Sequence, residues 1–301
     1  MKIIYVAILG SVLQAAIIPE VRALIDQKDM VGAVKLIEAE RAGGAWTPEL
    51  LQAHSWLGRG ALASKQYDRA LEYSAETRKL IMGVLKARKL DTEPMLPIAL
   101  GASIEVRGQA LAGKGQLGEA LAFLEQEVKT YRLTSMRARI QKNINLLSLV
   151  GKPAPAIEVK DFIGATAPPT LAKLKGKPVL LFFWAHWCGD CKAETGIVAE
   201  LAAKYGAKGL TVVGPTQHYG YVAGGEDAAP AIETAYIAKV YRQYYSSIPG
   251  MTTPLSEENF KIYGASSTPT LVLIDKAGIV RLYSPGNLTK EQLAAKIEQL
   301  L

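Results

Sequence analysis

The chain has 301 residues, 49% of them apolar and 21% charged, with a formal charge of +7. This is ordinary globular composition over more length than one domain usually takes, so a sizeable core and two domains are expected and disorder throughout is excluded. The basic surplus holds no run of five like charges and no aromatic interleaving, which excludes nucleic acid as a partner and leaves a solvated basic surface.

Residues 1–18 read as an export signal. Lys2 supplies the positive start, Ile3 to Leu13 an apolar stretch of suitable length, and Gln14-Ala15-Ala16 the small residues of a cleavage site. The alternatives are an uncleaved N-terminal anchor or a first buried helix. No later stretch reaches 18 unbroken apolar residues, so no second membrane span is expected.

Residues 19–148 read as all-helical, rich in alanine, leucine, glutamate and lysine with little strand alternation. Three segments align: Lys28 to Val34, Lys65 to Leu71, and Lys114 to Leu121 after one insertion. Each is a polar turn entering a helix that carries alanine and then an apolar residue. Together with Trp56-Leu57-Gly58, Gly60-Ala61, Tyr67 and Ala70 they resemble degenerate tetratricopeptide repeats, with offsets of 37 and about 50 residues. Asp91-Thr92-Glu93-Pro94 and Pro97 mark the loop that takes up the extra length. The resemblance implies a concave groove for a protein partner; the alternative is a helical domain that only packs.

Residues 149–301 switch to a strand-and-helix pattern after the Pro/Gly punctuation of Leu149 to Ala156. A short strand is expected near 157–162, a turn at Pro168-Pro169, and a buried strand over Pro178 to Trp184. Ile197, Leu201 and Tyr205 then recur on a helix. The strand over 209–214 follows by a crossover, so it runs parallel to the first. Next come a long helix over 228–245, with Ile232, Ala235, Tyr236 and Val240 on its apolar side, and a short one over 257–263. Strands over 270–275 and 279–283 flank the turn Lys276-Ala277-Gly278, and Thr289 to Gln292 form a capping box for the last helix.

The only two cysteines, Cys188 and Cys191, stand two residues apart where the buried strand meets a helix. A helix N-terminus offers unpaired N–H groups and a partial positive charge that favour a thiolate. Cys188 is therefore read as the nucleophile of thiol–disulfide exchange and Cys191, one turn on, as the resolving thiol. The alternatives are a zinc half-site or two inert buried thiols. A closed zinc site needs about four ligands, while the three histidines, His54, His186 and His218, are far apart in sequence, so no metal is expected. His186 is expected either to oppose Asp190 as an imidazolium beside the thiolate or to be an exposed spacer. Lys192 and Glu194 are electrostatic candidates, with exposed helix charges as the alternative. His218 or Tyr219 is expected at the groove, since ligands bind at the carboxyl ends of strands in such sheets.

The segment Phe183-Trp184-Ala185-His186-Trp187-Cys188-Gly189-Asp190-Cys191-Lys192, with Leu171 to Pro178 before it and Tyr263-Gly264-Ala265-Ser266-Ser267-Thr268-Pro269-Thr270 after it, resembles the TlpA/ResA-like redoxins of the thioredoxin superfamily. The resemblance covers 149–301. It implies an α/β thioredoxin-like fold, a central mixed sheet with flanking helices, preceded here by the all-α domain. It implies that Pro269 is cis and faces the cysteines, that Thr268 pairs with an extended substrate, and that Trp187 shields the pair. Two positions depart from the pattern: Asp190 stands where thioredoxins usually carry proline, and Phe182, six residues before Cys188, where they often carry a buried acid. The implied activity is two-electron exchange with protein disulfides or dithiols outside the cytosol, with no bound cofactor and with a membrane or extracytoplasmic thiol as electron donor. Two other classes remain: a peroxiredoxin-like peroxidase, and a non-catalytic scaffold.

Overall fold

The computed structural model describes residues 17–42 and 44–301. Residues 1–16 of the expected export segment lie outside the described residues; Ile17 and Ile18 open α1 (Ile17–Asp26), where Ile17 is buried. From Ile17 on, α1 thus overlaps the last two residues of that segment. Among the described residues no helix is long and apolar enough to cross a membrane.

Packing divides the chain into two compact units, Met1–Ala110 and Leu111–Leu301. In the first, α1 packs with α2 (Met30–Arg41) and α3 (Pro48–Ala63), and α3 with α4 (Tyr67–Val84). Val21, Ala33, Ile37 and Leu57 form the centre of this core. Helix starts follow their caps: Asp29 accepts from the Gly32 N–H at 2.8 Å, and Thr47 from the Leu50 N–H at 3.1 Å with Pro48 just inside the helix.

The internal repeat has a backbone signature. At Lys28, Lys65 and Gly115 the chain turns left-handed, with φ of 64°, 56° and 83°. In each case the next residue donates its N–H to a carbonyl five residues back: Asp29 to Leu24, Gln66 to Ala61 and Gln116 to Leu111, at 2.8, 2.9 and 3.0 Å. The alanine in each following helix, Ala33, Ala70 and Ala120, is fully buried. The third of these turns follows α5 (Met95–Gly113) and leads into α6 (Leu117–Thr130).

The second unit contains α6, α7 (Arg137–Ser148) and everything after them. The compact division therefore falls earlier than the expected boundary after residue 148. The reason is visible at α7. It packs on α10 (Glu257–Tyr263) through a two-pronged Arg137–Glu258 pair at 3.2 and 2.5 Å, and Asn145 Nδ2 donates to the Ile262 carbonyl at 3.3 Å. Gly264, with φ 61°, ends α10 against the backbone of Lys142, where a Cβ would collide. The Gly151 N–H then bonds to the Val280 carbonyl at 2.8 Å, so the Pro/Gly segment lies directly on the sheet.

That sheet is mixed, in the order β3 (Thr211–Val213), β2 (Val179–Phe183), β5 (Thr270–Ile274), β6 (Val280–Pro285). β3 is parallel to β2 and the other pairs are antiparallel. β2 and β5 are buried at every residue, which explains their unbroken apolar runs. Leu180, Phe182 and Trp184 face α8 (Gly189–Gly206), α9 (Pro230–Val240) and α11 (Lys290–Glu298). Leu181 and Phe183 face Leu149, Phe260 and Tyr263. The capping box at Thr289 and Gln292 opens α11 as expected.

Two expectations need correction. The strand near 157–162 shrinks to β1 (Phe162–Ile163), paired with β4 (Thr253–Pro254). Its earlier part is held instead by the Asn259 side chain, which accepts from the Glu158 N–H at 2.7 Å and donates to the Glu158 carbonyl at 2.9 Å. The long helix over 228–245 is α9 continued by a wider π-helical turn over Tyr241–Tyr245. Its buried face is Glu233, Ile237 and Val240, while Ile232 is 60% exposed.

Candidate active site

The C-terminal end of β2 is fixed by the loop that leaves β3. The Trp184 N–H donates to the Pro215 carbonyl at 3.1 Å, its indole N–H to the Gly214 carbonyl at 3.0 Å, and the Thr216 hydroxyl to the Trp184 carbonyl at 2.9 Å. The chain then turns through Ala185 to Trp187, and Cys188 caps α8, its Sγ accepting from the Cys191 N–H at 3.0 Å. Cys188 and Cys191 are joined as a disulfide with their Cα atoms 5.3 Å apart, and both are buried. The two sulfurs are thus each other's partner, against the zinc half-site. The N–H that reaches Cys188 Sγ is the kind of donor that stabilises a thiolate.

The Thr268–Pro269 bond is cis. It brings the Thr268 carbonyl within 3.4 Å of Cys188 Sγ. Trp187 is half-exposed, and its ring meets Tyr219 edge-on at 5.4 Å. Trp187, Tyr219, Gln217, Thr268 and Phe260 line a cleft of about 240 Å³ together with Thr134, just before α7, and Ala138 in its first turn.

His186 is neither an exposed spacer nor aimed at the cysteines. It is 1% exposed, and its Nε2 lies 3.2 Å from Glu233 Oε1, itself equally buried. Glu233 also accepts from the N–H groups of Tyr219 and Gly220 at 2.6 and 2.9 Å. Three tyrosines, Tyr219, Tyr221 and Tyr236, meet the imidazole edge-on. Burial holds the His186 pKa below the ordinary histidine value; the Glu233 hydrogen bond opposes this, and Lys192 and His218 add to it.

The remaining candidates separate. Asp190 is exposed on the first turn of α8. Lys192 stacks its ammonium 4.9 Å above the Tyr244 ring. Glu194 is buried, not an exposed helix charge; its carboxylate accepts from the Leu288 N–H at 3.4 Å, and burial raises its pKa. Tyr219 borders the cleft, whereas His218 hydrogen-bonds Thr234 at 2.8 Å and lines a separate cavity with Glu158 and Asp161. Phe182 is fully buried and packs on Tyr245, so the place of the missing acid is filled by an aromatic contact.

Sequence reasoning passed over Glu233 and Gln217. Glu233 carried a usable signal: it stands four and seven residues before Ile237 and Val240, on one helical face. An acid on an apolar stripe needs a partner. Gln217 carried none beyond its place in the loop that leaves β3.

The chain is similar to several known proteins. A family model for a thioredoxin-like domain matches residues 169–301. The thiol-disulfide oxidoreductase ResA of Bacillus thuringiensis is 32% identical over 151 residues, half of this chain and 78% of that protein. The thiol:disulfide interchange protein DsbE of Pseudomonas aeruginosa is 32% identical over 158 residues, 51% of this chain and 78% of that protein. The thioredoxin domain of a thiol-disulfide oxidoreductase from Bacteroides vulgatus aligns at 22% identity with a TM-score of 0.38, over 50% of this chain and 96% of its own. A paired CxxC at the head of α8, in a thioredoxin-like frame that extends over most of ResA and DsbE, means that the chain belongs to the family of ResA and DsbE thiol-disulfide oxidoreductases.

Proposed function

We propose that the chain is an extracytoplasmic reductase of protein disulfides. Reduced Cys188 attacks one sulfur of the substrate disulfide as a thiolate, and the substrate's other sulfur leaves as a thiolate that takes up a proton. Cys191 then attacks Cys188 Sγ in the mixed disulfide. The substrate departs as a dithiol, and the Cys188–Cys191 disulfide forms as two electrons pass to the substrate. The observation that carries this reading is the pairing of Cys188 as the cap of α8 with the Thr268 carbonyl 3.4 Å from its sulfur. An extended substrate can pair with that backbone beside the nucleophile. Glu194, three residues after Cys191 on α8 and buried, shares a helix face with the resolving thiol.

The leader-like segment at 1–18 supports export, and no bound cofactor is needed because the cysteine pair itself carries the electrons. A membrane or extracytoplasmic thiol must then regenerate the reduced pair, and the helical repeats are assigned to docking a protein partner. The test is the reduction potential of the pair against glutathione, followed by Trp184 and Trp187 fluorescence. A value near or below roughly −250 mV supports a reductase, and one near roughly −120 mV means a disulfide donor. No loss of function in Cys188→Ser would point to a scaffold, and rapid peroxide consumption to a peroxidase.

A further inference from the structure

We propose that the cleft between Trp187 and the start of α7 is a substrate subsite, taking one uncharged hydrogen-bonding side chain, an amide or hydroxyl, from the polypeptide beside the target cysteine. The inference rests on the polypeptide-disulfide reading above and adds to it a preference among substrates.

Position comes first. Thr268 and Trp187 line the cleft and also flank Cys188, so a polypeptide paired with the Thr268 backbone runs along its mouth. Size follows: about 240 Å³ is smaller than the usual small-molecule pocket and suits a single side chain.

The polar atoms narrow the chemistry. Gln217 Oε1 and Thr268 Oγ1 are buried without a hydrogen-bond partner, and both residues belong to the lining. The Gln217 side chain lies against the Tyr219 hydroxyl, so only part of its amide is engaged. Buried polar atoms left unpaired are costly, and a ligand that pairs them recovers that cost. An amide or hydroxyl brings the N–H or O–H that Gln217 Oε1 needs, and the Thr268 hydroxyl can donate or accept.

Charge narrows it further. Arg137 is held by Glu258 at 2.5 Å and Lys261 by Glu257 at 2.8 Å. The cations of the wall are therefore already paired, which disfavours an ionised side chain that would have to be desolvated without a counter-charge. Tyr219 and Phe260 supply apolar faces for the stem of the entering side chain.

The test uses the full chain, reduced, with disulfide-bonded peptides whose residues flanking the cysteine are all Gln, all Leu, all Asp or all Lys, and with bis(2-hydroxyethyl) disulfide as a small reference. The Gln peptide should exceed the Leu and charged peptides in kcat/KM, relative to the reference, by about fivefold, one hydrogen bond's worth. Gln217→Leu should erase that preference. Ala138→Phe, which adds bulk to the α7 wall and leaves residue 217 as glutamine, should erase it too and decides the matter if the first variant does not fold. No preference in the wild type, or a preference that survives Ala138→Phe, would overturn the subsite. Wild-type protein that reduces neither peptides nor the small disulfide would overturn the oxidoreductase reading together with it, whereas turnover without preference overturns the subsite alone.

Discussion

Two buried histidines, one in each compact unit, use the same chemistry for different purposes. His54 on α3 and His186 before Cys188 are 5% and 1% exposed. Burial lowers the pKa of both, and a glutamate opposes it in each case. The glutamate of His54, Glu76, stands 3.6 Å away and is 57% exposed. The closer partner of His54 is the Thr77 hydroxyl at 2.8 Å, and the His54 ring meets Trp46 and Tyr73 edge-on. The glutamate of His186 is 3.2 Å away and as buried as the histidine. It also holds two backbone N–H groups of the loop after β3. His54 is thus a packed residue with a solvated helper. His186 and Glu233 form a joint that ties the cysteine loop to α9. Burial of the partner, not of the histidine, separates the two cases, because only a buried partner has no water to replace it.

The largest test of that difference is deletion of each glutamate. Glu233→Ala leaves the imidazole and the Tyr219 and Gly220 N–H groups without an acceptor, so urea denaturation should show a loss of roughly 3–5 kcal/mol. Glu76→Ala should cost at most about 1 kcal/mol, since Glu76 is solvated and His54 keeps Thr77. Equal losses would break the comparison.

Acid sharpens it next. A histidine whose native pKa lies below its ordinary value of 6.5 binds fewer protons folded than unfolded. Its contribution to stability is complete above that value and is lost as pH falls below it. Glu194, with a raised native pKa, acts in the opposite direction. Thermal unfolding between pH 7.5 and 5.5 should therefore lose part of its pH slope in His186→Phe and, separately, in His54→Phe, compared with wild type. An unchanged slope in both would remove the argument from burial.

The smallest effect labels the helical unit. Lys65 adopts the left-handed turn that Gly115 adopts in the matching place, with φ of 56° and 83°. Lys65→Gly should stabilise by about 1 kcal/mol, less what the glycine adds to unfolded-chain entropy. If the two units unfold in separate transitions, this variant identifies the one that His54→Phe must move.

Much of the reacting centre was legible in the sequence. The strand–CxxC–helix segment is local, so its periodicity and capping are written in adjacent residues, and the resemblance placed Pro269 opposite. The three turns into helices were legible for the same reason: those at Lys28, Lys65 and Gly115 are each closed by hydrogen bonds spanning five residues. The face of α9 was misread because Ile232 is the more apolar residue, yet Glu233 is the buried one. Helical spacing allows either face, and the choice depends on His186, which lies 47 residues earlier. Glu194 was misread likewise, since nothing adjacent to it marks Leu288 as its partner.

The sequence by itself determined where the two thiols sit, which strand ends beneath them, and where the helices begin and turn. These are short-range matters of period, capping and backbone freedom. Only the tertiary structure decided what surrounds the thiols: the joint of His186 with Glu233, the burial of Glu194, the placing of Tyr219 rather than His218 at the cleft, and the lining of that cleft by α7. Each depends on a contact between residues distant in the chain, and the free energy of such a contact comes from excluding water at both partners together, which neither residue's own neighbours record.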